Sequence, residues 1–167
     1  MKRRRPHHVF RDRGAAAAAE MALVTPLLLI LMFGAMELGR YFLDEHVVAK
    51  AVRDGARYAA RRSFTDYAGC GVSGDVLDKT RNITRTGQVV TGGTARLPYW
   101  TSPATITVSV ICDTSPTYSG IYKGSTIGAP VVTVVAAVPY TPLFNAIGFN
   151  VSGLSLNSRS QSAVTGI

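Results

Sequence analysis

Apolar positions follow three different patterns along these 167 residues. From Met21 to Met36 there is no charge, and the low-polarity stretch extends from Ala15 to Leu38 if Glu20 and Glu37 are admitted. That is about 24 residues, or roughly 36 Å of helix, enough to span a bilayer. A core helix of a soluble protein keeps a polar face, and this run has none, so it predicts a transmembrane helix. Pro26 lies inside the run and predicts a kink or a short non-helical joint. From Glu37 to Arg62 the pattern becomes a polar helix with Tyr41, Val48 and Val52 at helical spacing and Tyr58 beside that face. Spacing offers ion pairs Glu37–Arg40, Lys50–Asp54 and Asp54–Arg57. Ala51, Gly55 and Ala59 recur every four residues as a smooth stripe, open either to another backbone or to the chain's own sheet. A single helical arm from about Ala16 to Arg62 would be roughly 70 Å long.

Beyond residue 64 the pattern shortens. Thr65 to Gly74 reads as a loop carrying Cys70. Asp75 to Thr86 reads as a short helix, with Ser73 as its cap and Gly87 closing it. Ala104 to Cys112 alternates, with Ile106, Val108, Val110 and Cys112 on one face and Thr105, Thr107 and Ser109 on the other. Val131 to Val138 is apolar on both faces and predicts a central, buried strand. Pro139, Pro142 and Gly148 link it to a last strand near Leu154 to Val164. The expected fold is α+β: a long N-terminal transmembrane and amphipathic helix packed on a small antiparallel sheet of about three strands. The divisions are a basic leader (1–14), a membrane helix (15–38), its amphipathic continuation (39–64) and a β-rich domain (65–167).

The formal charge of +8 suggests a nucleic-acid binder until it is located. Lys2, Arg3, Arg4, Arg5, Arg11 and Arg13 supply six of the eighteen basic residues, against Asp12 alone. The excess is therefore mostly a leader before an apolar run, which reads as a cytoplasmic anchor. No basic patch interleaved with aromatics follows, so nucleic acid is not an expected partner, whereas membrane lipid is. The positive-inside rule puts the N-terminus in the cytoplasm and the C-terminal domain outside. Cys70 and Cys112 then face an oxidising compartment, where they are either a disulfide or two separate buried thiols. They form no CxxC pair and have no histidine cluster nearby, so no metal and no other cofactor is expected. His7 and His8 sit in a leader without periodicity, read as disordered, and the sequon Asn82-Ile83-Thr84 is a weak match. No HExxH, GxSxG, phosphate loop or paired-carboxylate motif appears. Asp44 and Glu45 are adjacent and point about 100° apart on a helix, as expected of a solvated face. The chain does not read as an enzyme.

The joint before the membrane run carries the sharpest signal. A secretory signal places small residues after its apolar core, but here Gly14 to Ala19 precede it. Glu20 at the membrane boundary costs a few kcal/mol unless paired. Either it snorkels to the headgroups, or a cut just upstream creates an α-amino group that pairs with Glu20 of a neighbouring copy. At this point the sequence resembles the TadE-like family, pilin-like (pseudopilin) components of tight-adherence secretion systems. The resemblance rests on Arg13-Gly14, the small residues, Glu20, Ala22-Leu23-Val24, Pro26-Leu27-Leu28, Gly34, Glu37-Leu38-Gly39-Arg40 and Arg53-Asp54-Gly55-Ala56-Arg57-Tyr58-Ala59. It covers roughly residues 13 to 60, and the Val138 to Leu143 turn adds a weaker echo. It implies a pilin-like fold and cleavage by a membrane prepilin peptidase. It also implies partners among other pilin-like subunits and the inner-membrane assembly platform of a pilus. The family's glutamate is usually fifth after the cut. Here Glu20 is sixth after Gly14, so the cut falls after Gly14, or after Ala15 with Ala16 first.

Two other readings stand beside this one. An unprocessed single-span protein could bind a surface ligand through Tyr99, Trp100, Tyr118 and Tyr122. An exported enzyme with a conventional signal peptide is the third, and Glu20 and the missing small-residue motif after the apolar core count against it.

Overall fold

A computed structural model of the chain describes residues 13–114, 118–147 and 153–166. Residues 1–12, which include the stretch 1–10 read as disordered with His7 and His8, and the expected turn residue Gly148 lie outside the described residues. The chain divides after Gly39 into two units, taken separately here.

The first unit is helical. Helix α1, Arg13–Ala60, begins in it and contains Pro26. Helical backbone continues on both sides of that proline, so the expected non-helical joint does not form. Thr25 Oγ1 donates to Met21 O at 2.6 Å, one turn back. The apolar side chains are exposed all round, with Leu23 at 81% and Ile30 at 68%. Apolar side chains bare on every face are compatible with a single membrane-spanning helix. Among the described residues one helix is long and apolar enough to cross a membrane, with a mean hydropathy of 2.1 over its most apolar window.

The second unit holds the rest of α1 from Arg40, helix α2 (Gly74–Thr86), and strands β1 (Ile106–Asp113), β2 (Ala129–Pro139) and β3 (Ser155–Ala163). The three strands form one antiparallel sheet in the order β1-β2-β3. Register follows the alternation of side chains: Val108 faces Val134 and Val110 faces Val132 across β1 and β2, and Leu156 faces Val138 across β2 and β3. Val132, Val134, Ala136 and Val138 are fully buried and share one cluster with Val48, Val52 and Ala56 of α1. Burying each valine contributes about 1.5–3 kcal/mol. β2 is thus central, as its pattern predicts, but it is not buried on both faces. On the far face Val131 and Val135 are half-buried and Ala137 is exposed. The helices cover only one side of the sheet.

α2 obeys its local signals. Ser73 accepts from Val76 N, and Gly87 takes the left-handed conformation (φ 79) that ends the helix. The segment expected as a loop before it contains a 3-10 turn, Phe64–Cys70, which buries Tyr67.

Candidate functional site

Gly14, Ala15 and Ala16 lie in the first turn of α1, and Glu20 follows one turn on, all exposed. Glu20 has no hydrogen-bond or ion-pair partner among the described residues. An exposed carboxylate beside a run of bare apolar side chains is chemically suited to receive a cation from outside the chain.

The small-residue stripe Ala51, Gly55 and Ala59 lies inside the second unit. Ala51 and Ala59 are fully buried. A Cβ added at Gly55 would fall within the contact radius of Thr84 Oγ1, with Thr84 Cβ at 3.3 Å and Thr80 Cγ2 at 3.6 Å. The element over Gly55 is therefore α2, where sequence pattern left open another backbone or the chain's own sheet. α2 meets it with Val76, Thr80 and Thr84, a buried ridge at four-residue spacing. Thr84 Oγ1 donates to Thr80 O at 2.7 Å, which satisfies that hydroxyl inside the contact. At the end of the stripe Tyr67 donates its hydroxyl to Ala59 O at 2.6 Å. Burial, with the negative charge of Asp66 beside it, pushes the Tyr67 hydroxyl up to about 12. The ridge had a sequence signal in the i, i+4, i+8 spacing of those α2 residues, which composition alone does not mark as apolar.

Cys70 and Cys112 are joined in a disulfide with Cα atoms 5.9 Å apart. It ties the turn after α1 to the end of β1, and it holds Cys70 at a φ of 59.

The ion pairs expected for Asp54 do not form. Asp54 takes Arg96 Nη2 at 2.8 Å instead. Arg96 is fixed by its own backbone, whose N donates to Arg85 O at 2.9 Å, so the guanidinium is delivered to α1 by the segment after α2. Within the helix, Asp44 lies 3.9 Å from Arg40 and accepts the Tyr99 hydroxyl at 2.7 Å. Burial and that hydrogen bond raise Tyr99 well above the ordinary phenol range.

The four aromatics named as ligand contacts separate into two groups. Trp100 is fully buried and donates Nε1 to Thr105 Oγ1 at 2.8 Å, so it is a core residue, and Tyr99 is held by Asp44. Tyr118 and Tyr122 instead line an open cleft of about 230 Å³ with Thr114, Ser125 and Thr126. It adjoins a wider cleft of about 470 Å³ between Phe64, Ala68 and Lys123. Tyr122 donates to Val164 O at 2.8 Å, and a hydrogen bond to Asp113 pushes the Tyr118 hydroxyl up to about 12. Among the described residues no group of three His, Cys, Asp or Glu is arranged to hold a metal ion.

With an uncharged helical run, a lone carboxylate at its start and a small-residue stripe on the same helix, the N-terminal region can be compared with known families. Residues 14–57 match the family model for TadE-like protein. The TadE-like segment takes in Glu20, the whole uncharged run, and the stripe as far as Gly55. It covers about a quarter of the chain and leaves α2 and all three strands outside. No curated protein and no solved structure gives a significant match to the chain.

Proposed function

We propose that this chain is a pilin-like membrane subunit that takes part in assembling a tight-adherence pilus. The TadE-like match supports a role related to that system. The single observation that carries the finer reading is Glu20, exposed at the head of the uncharged run of α1 within the matched segment. In this reading a prepilin peptidase cuts after Gly14 or Ala15 on the cytoplasmic side. The helix stays in the membrane, and the new α-amino group of one subunit pairs with Glu20 of the next. That pairing offsets the few kcal/mol of a carboxylate at the bilayer boundary. The domain carrying the Cys70–Cys112 disulfide lies outside the cytoplasm, in the kind of compartment where such bridges persist. The protein contributes contacts to the assembly, not catalysis.

The test is the N-terminus of the mature, membrane-extracted protein, read by intact mass or terminal sequencing. A start at Ala15 or Ala16 is the expected result, and it also fixes the cut. A start at Met1 overturns processing. A start beyond Met36 overturns the membrane helix as well. A second reading draws on the cleft beside Tyr118 and Tyr122: an unprocessed single-span protein whose outer domain binds a surface ligand. An uncut N-terminus favours it.

A further inference from the structure

The solvent face of α1 within the second unit carries Lys50, Arg53 and Arg57, and Arg61 follows in the turn directly after the helix, all exposed. At 100° per residue the three helical cations fall within a strip about 60° wide and extend over about 10 Å of helix. Arg53 Nε donates to Ala49 O at 3.2 Å along the helix backbone. None of the four makes an ion pair among the described residues. The acid best placed to neutralise them, Asp54, is held by Arg96, and Asp44 is occupied by Arg40 and Tyr99. The fold thus leaves a straight row of cations uncompensated. Arg57 and Arg61 also lie near the C-terminal end of the helix, where cations complement its dipole, but Lys50 and Arg53 lie two turns or more before it.

We infer that this row is a binding surface for a linear acidic polysaccharide, a sugar polymer bearing carboxylates along its length. Charge complementarity calls for an extended polyanion. The spacing of about 4.5–6 Å along the axis presents successive cations to successive charges. Three of the four are arginines, whose planar forks match carboxylates in bidentate fashion. The chemistry around the row narrows the partner. Ala51, Val52, Ala56, Ala59 and Ala60 of the same stretch are all buried, so the row offers no apolar seam for a partner helix. A helix docked there would desolvate four charges without apolar compensation. The aromatic beside the row, Tyr58, is half-buried and has the Arg62 guanidinium 5.7 Å from its ring centre, so it is no free platform for nucleic-acid bases to stack on. A hydrated sugar polymer needs neither. A second copy of this row would repel the first, so the partner is not the same face of another subunit.

This inference does not depend on the pilin-like reading, because it concerns the purified protein. The experiment measures binding of the full chain, in non-ionic detergent micelles, to immobilised polygalacturonate over a series of salt concentrations. The expected affinity falls steadily with salt. The variant combining Lys50→Gln, Arg53→Gln, Arg57→Gln and Arg61→Gln should bind roughly tenfold or more weakly at low salt, with a shallower salt dependence. Replacing all three arginines by lysine should retain most of the binding. Neutralising the basic leader at residues 2–5, 11 and 13 should change little. Fluorescence of the buried Trp100 reports whether each variant is folded. The paired variants Lys50→Gln/Arg53→Gln and Arg57→Gln/Arg61→Gln, each expected to lose several-fold, serve if the fourfold variant unfolds. Unchanged binding by the glutamine variants overturns the inference, as does a loss that follows the leader. Tighter binding of polyglutamate or single-stranded DNA than of polygalacturonate overturns the assignment to a polysaccharide.

Discussion

Replacing Gly55 by alanine sets two effects of similar size against each other. In an exposed helix the change would stabilise by about 1 kcal/mol, because glycine loses the most backbone freedom on folding. At this position the new methyl group meets Thr84 Oγ1, with Thr84 Cβ at 3.3 Å. Thr84 is fully buried and its hydroxyl donates to Thr80 O at 2.7 Å, so it cannot turn aside without giving up that bond. Losing the bond costs about 1 kcal/mol, and forcing α1 and α2 apart costs about 1–3 kcal/mol. The steric effect wins, and Gly55→Ala should destabilise the domain by about 1–2 kcal/mol. Thr84→Ala alone removes the obstacle but also the buried bond to Thr80 O and a buried methyl group, partly offset by alanine's higher helix propensity, and should cost about 1 kcal/mol. Together the two should return to within about 1 kcal/mol of the native chain, which makes the coupling between them favourable by about 2–3 kcal/mol. Urea unfolding of the full chain in detergent, followed by the fluorescence of its one tryptophan, Trp100, reads these differences directly. A stabilised Gly55→Ala chain, or a double variant as weak as the single one, would refute the close contact between α1 and α2.

Three further expectations test other parts of the molecule. Serine at both Cys70 and Cys112 should lower stability by up to about 4 kcal/mol, given the 42-residue separation, and reductant should lower the urea midpoint of the native chain alike. An unchanged midpoint would mean that the bridge contributes nothing. The Tyr67 hydroxyl keeps its proton to about pH 12 when folded but ionises near 10 when unfolded. Its contribution is therefore complete below pH 10 and is lost as pH rises to 12, by up to about 2 kcal/mol. Tyr67→Phe should flatten that alkaline loss while costing about 1 kcal/mol at pH 7 for the bond to Ala59, and an equally steep loss in the variant would assign it to other groups. Glu20→Ala should leave membrane insertion intact and impair assembly, measured as surface pili per cell. Normal piliation in that variant would end the amine–carboxylate pairing idea.

Sequence by itself determined what depends on local chemistry. A low-polarity stretch long enough to span a bilayer, with a wholly uncharged centre, can be stable in few surroundings, so the N-terminal helix is legible without coordinates. Ser73 and Gly87 mark the ends of α2 because capping involves only neighbouring backbone. The alternation in β1 and the valine run in β2 fix strand identity and the central place of β2. Tertiary structure decided everything that requires two distant segments to meet. Asp54 has Lys50 and Arg57 at helical spacing, yet it bonds to Arg96, 42 residues away, because only that guanidinium is held in place by a separate segment. Trp100 lies in a loop segment whose sequence allows either a ligand contact or core packing, and the fold places it in the core. The valines on the far face of β2 read as buried, but nothing described covers them fully, since both helices pack on one side. The small-residue stripe is visible in sequence, and so is the spacing of Val76, Thr80 and Thr84, but not that the one receives the other. Periodicity records which face of a helix is smooth, and only the path of the chain brings a particular neighbour to that face.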